Sequence, residues 1–212
     1  MADAIRIRDL HAGDRDDFIA VMAQAFEADP LFIKAFGLRG EGGWERRVTS
    51  FLSFMFDMNR LMRGTPRGLF VDGRLTAGAL LDPPVSPLVS MFGAFASALR
   101  FLPVALALPV DGSAFLNSYT RRTRAAAPRG PHGYLVMVGV RPQAQGQGLG
   151  RRLVEDAIAR TRGDPRAIGI ALDTENEANV RLYEHLGFRK TASLDLGGVR
   201  AHCMVLPFGE PE

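Results

Sequence analysis

The chain has 212 residues, 47% of them hydrophobic and 23% charged, with a formal net charge of +3. That is enough for one domain with a sizeable core, and the balance is that of a soluble globular protein rather than a disordered or membrane-embedded one. A single cysteine, Cys203, excludes an intrachain disulfide, and His11, His132, His185 and His202 lack metal-ligand spacing, so no metal is expected.

Met1 to Arg6 has no apolar signal region, which makes a cytoplasmic protein the default expectation. Ile5 to Leu10 alternates apolar and polar residues and reads as a strand. Gly13-Asp14 starts a helix with Phe18, Val21, Met22, Ala25 and Phe26 on its apolar face, and Asp29-Pro30 ends it. Leu31-Phe32-Ile33 and Phe36 are expected to form a short apolar loop or turn. Trp44 to about Arg63 is a second helix, with Val48, Phe51, Leu52, Met55 and Met62 at helical steps before Gly64-Thr65-Pro66. Gly68–Val71, Asp72-Gly73 and Arg74–Leu81 read as a hairpin, because Asp-Gly between apolar runs signals a tight turn.

The segment from Pro83 to about Pro131 places Leu88, Met91, Phe92, Phe95 and Leu99 on one helical face, and Phe115, Leu116 and Tyr119 begin another helix. Pro84 to Val110 carries only Arg100 as a charge, but internal prolines and that central arginine argue against a membrane span. A segment of this length is read as one or two helices lying over the domain, as a lid, an enlarged core or a dimer contact. Arg121-Arg122-Thr123-Arg124 is too short a basic run to indicate nucleic-acid binding and reads as a solvated helix face.

The most informative stretch follows. Val136–Val140 is a β-branched strand, Arg141–Gly150 a polar glycine-rich loop, and Arg151 onward a helix. Gly146, Gly148 and Gly150 leave room for backbone N–H groups to face a phosphate beside the positive end of that helix. A P-loop would need Gly-Lys-Ser/Thr where Gly150-Arg151-Arg152 stands, and a dinucleotide fingerprint would need glycine at Arg151. What remains, Gln145-x-x-Gly148-x-Gly150 after a strand ending Val-x-Pro, resembles the acyl-CoA pyrophosphate loop of the GNAT N-acetyltransferase superfamily. Downstream, the strand Ile168–Leu172 leads to a helix in which Asn179 and Tyr183 share a face before Gly187-Phe188. This is similar to the Asn-x-x-x-Tyr-x-x-x-Gly-Phe element of the same superfamily, and the order of elements matches as well.

The resemblance implies an α/β (α+β) GNAT fold over residues 1–212. Its mixed twisted sheet of about seven strands would be flanked by helices, with the helical insertion at about 83–131 between the third and fourth strands. It implies acetyl-CoA as cosubstrate. Val138, Gly139 and Val140 would pair with the pantetheine through their backbones. Gln145, Gly146, Gln147, Gly148, Leu149, Gly150 and Arg151 would hold the pyrophosphate, Asn176 and Asn179 would bind the CoA arm, and Tyr183 would donate a proton to the thioester sulfur. No carboxylate lies on the strand Tyr134–Val138, so the candidates for the base are His132, Glu27, Asp29 or water.

His132-Gly133-Tyr134-Leu135 leading into the Val-x-Pro loop looks like the branch that includes puromycin N-acetyltransferase, which implies a small-molecule amine. Phe32, Trp44, Tyr134 and the insertion are expected to face it, and an aromatic lining suggests a hydrophobic amine. The alternatives are a protein or peptide N-acetyltransferase, a transferase of another acyl group, or a non-catalytic CoA-binding module. A monomer or homodimer is expected, with no nucleic-acid or membrane partner.

Overall fold

The computed structural model describes residues 4–84 and 110–209, together with Val104 and Leu108. The expected helix through Leu88–Leu99, and most of the apolar stretch weighed as a membrane span, lie outside the described residues. Among the described residues no helix is long and apolar enough to cross a membrane.

One sheet of seven strands organises the chain: β1 (Ile5–Asp9), β2 (Arg67–Val71), β3 (Arg74–Asp82), β4 (Gly133–Val140), β5 (Gly169–Thr174), β6 (Arg189–Leu196) and β7 (Val199–Pro207). Their spatial order is β1-β2-β3-β4-β5-β7-β6. Every neighbouring pair is antiparallel except β4 and β5, which run parallel. The β2–β3 turn sits on Asp72 and Gly73, with φ of 48° and 79°. Two positive φ values in sequence are what a two-residue hairpin turn requires, and Asp-Gly supplies them at low steric cost.

Two helical layers cover the sheet. On one face lie α1 (Arg15–Ala25), α2 (Pro30–Phe36), α3 (Trp44–Leu61) and α4 (Val110–Ala125); on the other lie α5 (Leu149–Arg162) and α6 (Glu177–His185). The first core gathers Phe18, Met22, Phe32, Phe36, Leu52 and Phe56 against Leu80 and Met137. The second gathers Leu153, Val154 and Tyr183 against Leu135, Ile170 and Leu172. Gly78 and Gly139 face each other across β3 and β4, beneath α1. A Cβ on Gly139 would stand 2.7 Å from Met22 Sδ and 2.9 Å from Ala25 Cβ, so the missing side chains let α1 lie close on the sheet.

The expected loop at Leu31–Phe36 is instead helix α2. Asp29 caps it: Oδ1 accepts the N–H groups of Leu31 and Phe32, at 2.9 and 3.2 Å. Pro30 occupies the first turn, where its fixed φ fits and no N–H is missed. The Asp-Pro pair that ends α1 therefore also starts α2.

Candidate active site

The parallel pair β4–β5 is hydrogen-bonded only at its start, through Gly133↔Ile170, Tyr134↔Ala171 and Leu135↔Leu172. Beyond Leu135 the strands part. The cause is visible on the other edge of β4, where Leu81 faces Leu135 but Leu80 faces Met137. Val136 is thus an extra residue, a β-bulge, and a bulge bends the strand that carries it. Val136 and Met137 both pack toward the first helical layer, although they are consecutive. Leu135 and Val138 pack toward the second. A slot opens through the sheet, edged by the backbone of Val136 to Val140.

At the end of this slot lies the glycine loop. Gly146 and Gly148 have φ of 77° and 73°, and a Cβ at either would meet nothing within 4 Å. Their conformation, rather than neighbouring protein atoms, demands glycine, and the space beside them is open. Helix α5 starts at Leu149, and its first hydrogen bond runs from Arg152 N–H to Gly148 O. The N–H groups of Leu149, Gly150 and Arg151 therefore have no acceptor inside the helix. Gln145 sends its Nε2 back to Val140 O at 3.1 Å, tying the loop to β4. The exposed Arg151 pairs with Glu155 at 2.9 Å. At Gly150 a Cβ would lie 3.4 Å from Val140 Cγ2, an ordinary contact, so neither sterics nor φ requires glycine there.

Tyr183, on α6, packs within the second core. It is 8% exposed, stacks at a tilt on Phe188, and its hydroxyl has no hydrogen-bond partner among the described residues. Burial first, then the Glu175 and Asp173 carboxylates, push its pKa upward and keep the phenol protonated. Asn176 caps α6 by accepting Ala178 N–H at 2.9 Å, and Asn179 Nδ2 reaches Thr174 Oγ1 at 3.5 Å. Both asparagines thus stand at the start of α6.

On the first-layer side of the slot is a group that sequence reasoning missed. Tyr134 and Tyr119 donate to the two oxygens of Asp173, the latter at 2.5 Å, and Tyr119 also touches Glu175 Oε1. Asp29, from the α1–α2 turn, adds a third carboxylate close enough to act on both. Burial, and then Asp29, push the Glu175 carboxyl up to about 8. A phenol has one proton to give, so Tyr119 cannot donate to both acids. With Glu175 protonated the contacts are consistent: Glu175 donates to the Tyr119 oxygen, and Tyr119 donates to Asp173. Asp173 lies in the last pleat of β5 and Glu175 just beyond its end, and two carboxylates closing an apolar strand are the signal that could have revealed them.

The other expected residues lie elsewhere. Phe32 and Trp44 are 1% and 4% exposed, packed within the first core, so they present no surface to a ligand and that expectation is corrected. The aromatic run that looked like a loop is a helix buried on its inner side. His132 precedes β4, bonded through Nδ1 to Gly130 O at 2.7 Å. It stands four strand residues, or about 13 Å, from Val136 and is not brought to the slot. It lines a separate cavity of about 290 Å³ with Met62, Asp82, Arg124 and Tyr134. Glu27 is tied to Arg39 at 2.5 Å. Of the candidates for the base, Asp29 alone joins the carboxylate group. Tyr134, expected to face the acceptor, joins it through its hydroxyl.

Residues 110–188, from α4 through the loop to Phe188, match the model of the acetyltransferase (GNAT) family. Mycothiol acetyltransferase of Geodermatophilus obscurus is 34% identical over 95 residues, which are 43% of this chain and 31% of that protein. The chain thus spans less than a third of that curated relative's length. A Corynebacterium glutamicum structure described as histone acetyltransferase HPA2 and related acetyltransferase aligns with a TM-score of 0.67 at 22% identity, covering 100% of this chain and 99% of that one. A GNAT family acetyltransferase from Brucella melitensis, in complex with acetyl-CoA, aligns at 0.53 and 17% identity, covering 99% and 91%. The fold is therefore that of the GNAT acetyltransferases.

Proposed function

We propose that the chain is an acetyl-CoA-dependent N-acetyltransferase that acts on the amine of a small molecule by direct attack within a ternary complex. One observation carries the reading: β4 parts from β5 at a bulge, between an open glycine loop and a buried, unpartnered tyrosine. Acetyl-CoA, when bound, supplies the acyl group as an activated thioester. The residues present fit it. The N–H groups of Leu149, Gly150 and Arg151, the open positions at Gly146 and Gly148, and the positive end of α5 suit a pyrophosphate. The edge of β4 from Val138 to Val140 that β5 leaves unpaired would offer backbone groups to the amide-bearing arm, and an N–H near Val138 would stabilise a developing oxyanion. Tyr183 holds a proton at the slot for a departing thiolate.

The acceptor enters from the α1–α2–α4 face. The expectation of a hydrophobic amine rested on Phe32, Trp44, Tyr134 and the insertion; Phe32 and Trp44 are core residues, most of the apolar part of the insertion lies outside the described residues, and carboxylates line this side. The acceptor is therefore read as a cationic amine. The test is a thermal melt with acetyl-CoA, with NAD and ATP as controls. Ligand at about a hundred times its dissociation constant adds roughly 2.7 kcal/mol, a rise of several degrees for a chain of this size. An amine screen with thiol detection follows. A shift with NAD or ATP instead of acetyl-CoA would overturn the reading, and a shift without thiol release for any amine would favour a non-catalytic CoA-binding module.

A further inference from the structure

We infer that Ser193 is a second reactive centre of the chain: a serine nucleophile, with His202 as its base and Glu177 behind the imidazole, that takes an acyl group from small activated carboxylic esters. None of these three side chains takes part in the acetyl transfer proposed above.

Strand order and one helix end bring the group together. Thr174, His202 and Ser193 stand side by side across β5, β7 and β6. Alternation along β7 turns His202 to the same face as Met204 and Leu206, which pack in the second core, while Ala201 packs with Tyr119 on the other face. Helix α6 covers the His202 face, and Glu177 is its first residue. The imidazole is 3% exposed, and both of its nitrogens are engaged. Nε2 lies 3.0 Å from Glu177 Oε1, and Nδ1 lies 3.1 Å from Ser193 Oγ. The outer members of the row reach solvent. The Glu177 side chain is 65% exposed, and Ser193 is exposed on β6, the last strand of the sheet. A reagent can therefore approach Ser193 Oγ while the base behind it stays buried.

The partners fix the tautomer. A carboxylate can only accept, so the neutral ring carries its proton on Nε2 and donates it to Glu177. Nδ1 is then bare, and the Ser193 hydroxyl donates to it. Acid, imidazole and hydroxyl stand in series, and it is these roles, not the choice of ring nitrogen, that activate a serine. In the reaction Oγ bonds to the carbonyl carbon, and the bond from that carbon to the leaving oxygen breaks. The Oγ proton passes to Nδ1, the leaving group departs as its anion, and the imidazolium then gives the proton to solvent. The products are the Ser193 acyl ester, the leaving anion and a proton. An exposed strand position has no walls to hold a large substrate, so reactivity must come from the leaving group. That selects small esters of acidic alcohols.

The experiment is incubation of the full chain, without acyl-CoA, with p-nitrophenyl acetate, followed by p-nitrophenolate release, intact mass and peptide mapping. An acetyl group should appear on Ser193. Neutral hydroxylamine should remove it, because it cleaves esters and leaves the amides that Lys34, Lys190 or the N-terminus would form. Ser193→Ala should lose that adduct, and His202→Gln should slow its formation about 100-fold. Glu177 acts through the ring, as a positioning residue. Glu177→Ala should slow acylation, and Glu177→Gln, whose carbonyl still accepts the Nε2 proton, should recover part of the rate. Absence of an ester on Ser193 in the wild type would overturn the inference, as would a folded His202→Gln that acylates at the wild-type rate. Should His202→Gln fail to fold, the exposed Glu177 decides, and Glu177→Ala acylating at the wild-type rate would overturn it equally. Stabilisation by acetyl-CoA enters none of these outcomes, so the proposed acetyl transfer and this second centre fail separately.

Discussion

Replacing Glu175 by glutamine is expected to stabilise the fold, and more so as the pH rises. The folded carboxyl is raised from 4.5 to about 8, so the folded state holds its proton more tightly than the unfolded chain. Below pH 4.5 both states are protonated and the group is neutral in effect. Between 4.5 and about 8 the unfolded chain ionises first, and stability falls by about 1.4 kcal/mol per pH unit. The full difference has a ceiling of about 5 kcal/mol, and screening at a carboxyl that is only part-buried lowers it to about 2–3 kcal/mol. Above pH 8 both states are ionised and the loss is complete. Glu175→Gln carries no such loss. Urea unfolding of both proteins at pH 5, 7 and 9 isolates the term, since other titrating groups cancel in the difference. The variant should match wild type within about 1 kcal/mol at pH 5 and exceed it by about 2–3 kcal/mol at pH 9, or roughly 4–12 °C in a melt. A stability difference independent of pH would show that Glu175 is not held protonated by its surroundings.

Three further outcomes test the neighbouring features. Gly139→Ala drives a methyl group into Met22 and Ala25 and should cost about 1–3 kcal/mol, read as a lower urea midpoint; an unchanged midpoint would mean that α1 does not press on β4. Tyr183→Phe should lower kcat by about 10²–10⁴ with any amine that the screen returns, while the acetyl-CoA melting shift stays as in wild type; equal kcat would remove its role as proton donor. Gly148→Val meets no protein atom but imposes a side chain at φ +73°, so a folded variant that has lost the acetyl-CoA shift is expected, and a retained shift would misplace the pyrophosphate.

The parts of the fold that were legible in the sequence are those encoded locally. Alternation gave β1, Asp72-Gly73 gave the hairpin, and helical spacing gave α1 and α3 within a few residues. The loop and Tyr183 were legible for the same reason, because each motif spans fewer than a dozen positions. Helix α2 was missed because a run such as Leu31-Phe32-Ile33 has no polar face to show a period, while its start signal, Asp29-Pro30, read equally well as the end of α1. With that helix taken for a loop, Phe32 looked available to a ligand, and Trp44, at the start of a helix correctly expected, is buried by its packing in the first core. The carboxylate group was out of reach on other grounds. Asp29, Tyr119, Tyr134 and the Asp173–Glu175 pair come from four separate segments, and only the strand order β4-β5-β7 with α2 and α4 above it brings them together. The pairing of Leu81 with Leu135 and of Leu80 with Met137, which opens the slot, likewise belongs to two strands at once and has no single-sequence signature.

The bulge at Val136 has a further effect. Alternation already lets a single strand serve two compartments, and the bulge shifts by one position which residues beyond Leu135 face each. Leu135, Val138 and Val140 belong to the α5–α6 side, with the loop; Tyr134, Val136 and Met137 belong to the α1–α2–α4 side, with the carboxylates. The two substrates of the proposed reaction would then be recognised by different helices joined through β4 and β5. Substitutions in α2 or α4 can alter which amine is accepted without disturbing the loop, and drift in α5 can retune the nucleotide end without touching the acceptor. A scaffold divided in this way can exchange one specificity while inheriting the other intact.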